Sequence, residues 1–453
     1  MKQGVILAGV LALALLVSGC QGQNAETGGT PKPSLEAQAA AWEEQSLAYV
    51  DSFRSGDFGG FYQTVGRELA GGSAQEVFSA AWNAAAAKAR TYRDAETAVF
   101  READGRGEVT VVSTHARYEL VTTFTYGADG LAEAVACATQ PLPVPPEESE
   151  TWWEEPVTLG YDPEKQLNGL LTLPRGVERP PVAVLVQGSG PNGMDSLIGA
   201  SDNRPFADLA HGLAEQGIAV LRYDKRSYAY PEDVTDIQTE YLYDVREAVR
   251  LLQADGRVDG QRLYLIGHSQ GGMMGPLLLT ENPEFKGFVS MAGTLRRLED
   301  IVMEQSETMM AQDTGLTQAE KEAVLSGTRA DVARIKSLTA QRAASADVLI
   351  QGYPERYWQS INAMDARALA EDLEVPMLIL QGKNDFQVLY ESDYALWQEA
   401  LAGRDDVTFQ AYDGLSHVFM PGSRERFEGA VYDPPAHVEP RVIADIAAWI
   451  HSL

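Results

Sequence analysis

The chain has 453 residues, with 36 Lys+Arg against 65 Asp+Glu, a formal net charge of −29. Its 45% hydrophobic and 22% charged residues are those of a globular protein, which excludes wholesale disorder, and so acidic a chain is repelled by nucleic-acid phosphates. Cys20 and Cys137 are the only cysteines, too few for a ligand cage or a disulfide framework, and the length leaves room for two or three domains.

Lys2 precedes an apolar run from Val5 to Val17 that closes on Val17-Ser18-Gly19-Cys20. A basic start, a short hydrophobic stretch and small residues predict a secretory signal over residues 1–19, since Gly4 to Gly19 falls short of the roughly 20 apolar residues of a spanning helix. The last four residues resemble the lipobox of bacterial lipoproteins. That resemblance implies cleavage before Cys20, a diacylglyceryl group on its thiol, and an extracytoplasmic protein held at the membrane, because two acyl chains suffice for stable anchoring. Without lipidation the same signal implies plain secretion. Residues 20–33, rich in Gly, Gln, Asn and Thr, read as a flexible tether. Cys137, alone among alanines, reads as a small buried hydrophobe.

Residues 34–139 form the first folded region. Trp42, Leu47, Val50 and Phe53, then Val77, Phe78, Ala81 and Trp82, recur at helical spacing, and Gly59-Gly60 and Gly71-Gly72 divide the stretch into about three helices. From Thr91 to Ala138 the pattern turns β-rich, with Gly105 to Gly107 and Gly127 to Gly130 as turns. Helices followed by a strand meander predict a small α+β domain. The order resembles the cone-shaped nuclear-transport-factor-like domains that precede some bacterial hydrolases. Its aromatic residues read as core rather than as a ligand pocket. Residues 140–156 hold five prolines and five glutamates, a stiff charged joint and a domain boundary.

Residues 157–453 alternate strands and helices. Leu167 to Leu173, Val182 to Gln187, Ile218 to Tyr223, Arg262 to Gly267, Phe285 to Ala292, Val375 to Gln381 and Val407 to Tyr412 are apolar strands, with helices over Pro205 to Gln216 and Thr239 to Gln253. Continuous Val/Ile/Leu runs separated by helices predict a mostly parallel sheet covered on both faces. Residues 294–369, helical and charged, interrupt the rhythm and read as an inserted cap. Its Met303, Met309 and Met310 suit either a flexible apolar lid or ordinary packing.

The most informative segment is Leu263 to Gly272, a strand, then G-x-S-x-G, then a helix beginning near Gly272. Gly267 and Gly271 flank a turn so tight that bulk on either side is excluded, and the turn exposes Ser269 beyond His268. The alternative is a serine capping a Gly-rich turn. A serine hydroxyl needs an imidazole to act as nucleophile, and six histidines allow elimination. His115 lies in the first domain, His211 and His451 on helices, His268 inside the elbow and His437 in a Pro-rich loop. His417 follows a late strand. Asp385, after the strand Val375 to Gln381, supplies the carboxylate, whereas Asp405 and Asp406 precede a strand and belong at the opposite sheet edge. The order Ser269, Asp385, His417 is that of α/β-hydrolases. Oxyanion donors are expected from the Gln270 N–H and from the loop Gln187 to Gly193, at Ser189 or Gly190. That loop also spells G-x-G-x-x-G, but Pro191 interrupts it, no helix opens at Gly193 and no acidic residue ends a second strand, so it is not read as a dinucleotide site.

From Val157 onward the chain resembles bacterial α/β-hydrolases of the serine esterase and serine aminopeptidase-like group. The matching pieces are Leu167 to Pro174, Gly188-Ser189-Gly190-Pro191, Pro205 to Ala210, Val220 to Arg226, Gly267 to Gly272, and the Asp385 and His417 segments. The resemblance implies an α/β-hydrolase fold and carboxylesterase activity on small acyl esters. It departs from the family at Asn192-Gly193-Met194-Asp195, where an Asp-Arg-Asp run is usual, and at Ser227, where a glycine is usual. The expectation is a serine hydrolase with no metal and no cofactor. The alternatives are a peptidase of the same fold, for which Glu299, Asp300 and Glu304 are the candidate amine anchors unless they line a solvated helix face, and a silent surface-binding lipoprotein.

Overall fold

The structure, a computed structural model, describes residues 34–65, 72–89, 92–339, 344–345, 348–424 and 429–453. The signal expected over 1–19, the tether expected over 20–33 and the lipidation expected at Cys20 lie outside the described residues. None of the described helices is long and apolar enough to cross a membrane. The chain divides at Val144/Pro145 into two units.

In the first unit, Ser34 begins the helix Leu35–Arg54, its Oγ accepting the Ala37 N–H at 3.2 Å, as an N-cap serine does. Helices Gly59–Tyr62 and Gly72–Ala89 follow. Strands β1 (Tyr92–Ala103), β2 (Arg106–His115), β3 (Tyr118–Tyr126) and β4 (Ala132–Pro141) form an antiparallel meander in chain order. Along β3 every second residue is buried, the mark of a sheet with one covered face. Trp42, Phe53, Phe58, Phe61, Trp82 and Phe124 fill the space between helices and sheet. Phe53 stacks on Phe58 with centroids 4.8 Å apart and meets Trp82 edge-on. Cys137 on β4 is half-buried against this core.

The second unit begins with β5 (Trp152–Leu159) and β6 (Leu167–Pro174). Trp152 to Pro156, expected in the joint, are therefore strand. β5 is the outermost strand of its sheet, where a proline costs no ladder hydrogen bond. The sheet continues with β7 (Val182–Val186), β8 (Ala219–Tyr223), β9 (Leu263–His268), β10 (Phe285–Met291), a small hairpin of β11 (Leu349–Ile350) and β12 (Tyr353–Pro354) set apart from it, then β13 (Met377–Gly382) and β14 (Val407–Tyr412). Among the described residues its order is β14-β13-β10-β9-β7-β8-β6-β5. Pairing is parallel from β14 to β8 and antiparallel at the β6 and β5 edge. β7 and β8 are buried throughout, as two-sided coverage requires.

Register aligns the strand ends that matter. Val186 pairs with Gly267, His268 with Met291, Met291 with Leu380, and Gly382 with Tyr412. The loops after β7, β9, β13 and β14 therefore leave one edge together, the carboxyl end at which open α/β sheets bind ligands.

Between β10 and β13 lie the helices Leu298–Gln312, Gln318–Lys336, Glu355–Asn362 and Ala366–Asp372. Thr317 and Glu320 close a reciprocal capping box at the start of the second, satisfying two otherwise orphaned N–H groups. The Arg222 to Arg226 segment is anchored by buried ion pairs. Arg222 Nε donates to Asp195 at 2.8 Å and Nη1 to Glu154 at 2.6 Å, while Arg226 Nε donates to Asp244 at 3.0 Å.

Candidate active site

Ser269 sits between β9 and the helix Gln270–Glu281 with φ +55° and ψ −120°. A side-chain-bearing residue at positive φ is strained, and such strain persists only where surrounding structure fixes it. Two contacts fix it. The Ser269 N–H donates to the Met291 carbonyl at 2.9 Å, and its own carbonyl accepts the Met273 N–H at 3.0 Å. The flanking glycines are required by close approach: a Cβ on Gly267 would lie 2.4 Å from the Gly271 carbonyl oxygen, and one on Gly271 would lie 2.3 Å from that of Val186. The helix begins at Gln270, two residues earlier than expected, so the residue after the serine already opens it.

Asp385 follows β13 and is fully buried. Its Oδ1 accepts the N–H groups of Gln387 at 2.7 Å and Val388 at 3.0 Å. Its Oδ2 accepts from Gln381 Nε2 at 2.9 Å and His417 Nδ1 at 2.7 Å. Nδ1 is thus the ring nitrogen of His417 that the carboxylate engages. Neither Gln381 nor Gln387 stands out by motif or spacing. A glutamine ending the otherwise apolar run Met377 to Leu380 is the signal that could have found the first.

Ser269, His417 and His268 line one cleft of about 130 Å³. Ile198, Pro205, Phe206, Leu209, Met291 and Val418 supply an apolar wall, and Ser189, Asn192 and Gln387 supply polar edges. His268 is structural in its contacts. Its Nε2–H donates to the His417 carbonyl at 2.9 Å, and the two rings lie 4.7 Å apart. Burial, with a smaller contribution from the neighbouring His417, pushes its pKa down to about 3, so it is a neutral donor at ordinary pH.

The remaining histidines lie elsewhere. His211 bonds Glu154 at 2.8 Å and stacks on Trp152, His437 bonds Asp208, His451 bonds the Gln216 carbonyl, and His115 is buried in the first unit. Asp406 pairs with Arg404 ahead of β14, at the far sheet edge.

The loop after β7 places Gly188 against the serine: a Cβ there would lie 2.9 Å from that of Ser269. The Gly190 N–H is engaged by the Tyr353 hydroxyl at 3.1 Å, whereas the Ser189 N–H has no partner among the described residues. No helix opens at Gly193; the next begins at Pro205. In the cap, Glu299 is buried with neither carboxylate oxygen hydrogen-bonded among the described residues, which corrects its expected place on a solvated face. Asp300 pairs with Lys336 and Glu304 with Arg296. None of the three lines the cleft, and neither do Met303, Met309 or Met310.

Residues 200–422 match the family described as serine aminopeptidase, S33. The chain is 33% identical over 303 residues to esterase EstD of Thermotoga maritima, covering 66% of this chain and 68% of that one. Among solved structures it is similar to ferulic-acid-bound Est1E from Butyrivibrio proteoclasticus at 17% identity and a TM-score of 0.43, over 66% of this chain and 100% of that one. It is also similar to an esterase of Pyrococcus furiosus at 13% identity and a TM-score of 0.43, over 69% and 97% of the two chains.

Proposed function

This chain belongs to the serine aminopeptidase-like (S33) α/β-hydrolases and is an enzyme of esterase type; from that premise we propose that it cleaves small carboxylic esters through an acyl-enzyme on Ser269. The observation that carries the reading is the joint geometry of three loops. A serine at φ +55° shares a cleft with a histidine whose Nδ1 is fixed on a buried carboxylate at 2.7 Å.

Nε2 of His417 takes the Ser269 proton as Oγ bonds to the ester carbonyl carbon. Asp385 keeps Nδ1 protonated and stabilises the imidazolium that forms. The N–H groups of Gln270 and Ser189 receive the developing oxyanion, each such donor contributing about 3–4 kcal/mol in the transition state. Collapse breaks the bond to the leaving alcohol, which takes the proton from His417. A water then repeats the sequence with His417 as base, releasing the acid and restoring Ser269.

Cleft size bears on the substrate. A void of about 150 Å³ accommodates benzene, so a cleft of about 130 Å³ with an apolar wall suits an acyl group of roughly six carbons or fewer. The peptidase reading needs a carboxylate at the cleft to hold a substrate amine, and Glu299, Asp300 and Glu304 stand outside it. A p-nitrophenyl ester series from acetate to laurate, run beside aminoacyl-p-nitroanilides, tests the choice. The expected kcat/KM peaks at short acyl chains and drops at least about tenfold by laurate. A peak at long chains, or faster anilide cleavage, contradicts it.

The proposal extends to location and architecture. The lipobox-like Val17 to Cys20 supports anchoring at the outer face of a membrane, testable by labelling with radioactive palmitate and its loss in Cys20→Ala. The helices packed on an antiparallel meander support reading the first unit as a nuclear-transport-factor-like cone.

A further inference from the structure

Behind the loop Gly188–Gly190 lies a buried polar chain that the proposed chemistry does not use. Lys225, only 2% exposed, donates from Nζ to the Gly188 carbonyl at 2.8 Å, the Gly190 carbonyl at 3.4 Å and the Tyr241 hydroxyl at 2.6 Å. The Tyr241 hydroxyl in turn donates to the Gly188 carbonyl at 3.3 Å. Lys225 Nζ lies 3.0 Å from Glu240 Oε1. Glu240 Oε2 accepts from the Tyr357 hydroxyl at 2.5 Å, and that hydroxyl accepts from Gln270 Nε2 at 2.8 Å. All of these side chains are buried. The chain thus runs from the loop after β7 to the residue immediately following Ser269.

A buried ammonium is costly unless paired and hydrogen-bonded, and burial lowers the Lys225 pKa while Glu240 opposes the loss of charge. Packing alone would be served by an apolar side chain of the same length. The use of the charge lies in the peptide plane. No cis peptide bond occurs among the described residues, so the Gly188 carbonyl and the Ser189 N–H belong to one planar trans unit and point in opposite directions. A cation that holds the carbonyl on one side therefore turns the N–H to the other, and Gly188 and Ser189 both line the cleft that holds Ser269. The Gly190 N–H, by contrast, is already taken by Tyr353.

We propose that Lys225 is a positioning residue for the oxyanion site: by binding the Gly188 carbonyl it orients the Ser189 N–H toward the reacting carbonyl, while the chain through Glu240, Tyr357 and Gln270 holds the second donor in the same frame. This deepens the proposed esterase reading and rests on it.

The test compares Lys225→Met with wild type on p-nitrophenyl acetate and measures inhibition by a short alkyl trifluoromethyl ketone, which adds to Ser269 and forms an oxyanion. Glu154→Gln serves as a control that loosens a different buried ion network. The expected result is a fall in kcat of about 30-fold or more, with KM within about twofold and an equal loss of ketone affinity. The control should lower thermal stability and leave kcat unchanged. Unchanged kcat in folded Lys225→Met, or a fall not matched in ketone affinity, overturns the inference. If Lys225→Met does not fold, Tyr241→Phe decides, with an expected parallel loss of about threefold in kcat and ketone affinity, and no change in either overturning the inference. Ser269→Ala separates the two levels. If it abolishes turnover while Lys225→Met leaves kcat intact, only the positioning role falls; if Ser269→Ala keeps activity, the underlying reading falls.

Discussion

Strand β3 of the first unit buries Tyr118, Leu120, Phe124 and Tyr126 on one face and leaves the intervening residues half-buried, whereas β7 and β8 of the second unit are buried on both faces. The difference governs where each unit can keep polar chemistry. The one-faced sheet closes its interior with aromatic rings, and one polar contact there is Ser46 with Tyr126 at 2.7 Å. The two-faced sheet has no free face, so its reactive groups stand on the loops beyond its strand ends. It also carries its charges inside, at Arg222, Lys225 and Arg226, each with acidic partners.

If that contrast is right, perturbing the second sheet's rim should strike turnover and perturbing the first sheet's interior should strike stability. Asp385→Asn carries the largest expected effect. It removes the anion that fixes the His417 tautomer, and kcat should fall about 10⁴-fold with little change in KM. A loss below tenfold would break the contrast at its stronger end. Next comes Phe53→Ala, which empties a site ringed by Phe58, Phe78 and Trp82. Denaturant unfolding of the first unit should show a loss of about 3–5 kcal/mol.

The smallest expected effect is read through pH. Burial alone would raise the Glu154 carboxyl, but the hydrogen bond from His211 and the charge of Arg222 outweigh it and hold the pKa at about 2, against an ordinary 4.5. A folded pKa below the unfolded one gives stability that is present above the unfolded value and lost as pH falls through the folded one. The stability gap between wild type and Glu154→Gln should therefore narrow by up to about 3 kcal/mol between pH 6 and pH 2. A gap that stays constant over that range would show that the ionised Glu154 adds no stability through this network.

What could be read from the chain was local or topological. Gly267 and Gly271 mark the elbow because backbone approaches of 2.4 and 2.3 Å to a would-be Cβ admit nothing larger. Asp385 and His417 could be placed at one sheet edge because each follows a strand that a parallel sheet must align. The unread parts depend on contacts between distant segments. Tyr357 meets Glu240 across 117 positions and Gln270 across 87, and no spacing rule announces either. Trp152 to Pro156 read as linker because proline and glutamate are poor strand formers, a penalty that an outer strand escapes. For Glu299 composition leaves an amine anchor and a solvated helix face both open, and its helix turns it inward.

In the proposed reaction Ser269 carries the acyl group. Incubating the protein with a fluorophosphonate probe and mapping the modified peptide by mass spectrometry tests it most directly. The expected result is a single adduct on Ser269, formed by wild type at a rate that Asp385→Asn slows sharply and that Ser269→Ala abolishes together with p-nitrophenyl acetate turnover. An adduct on another residue, or undiminished turnover in Ser269→Ala, would contradict it.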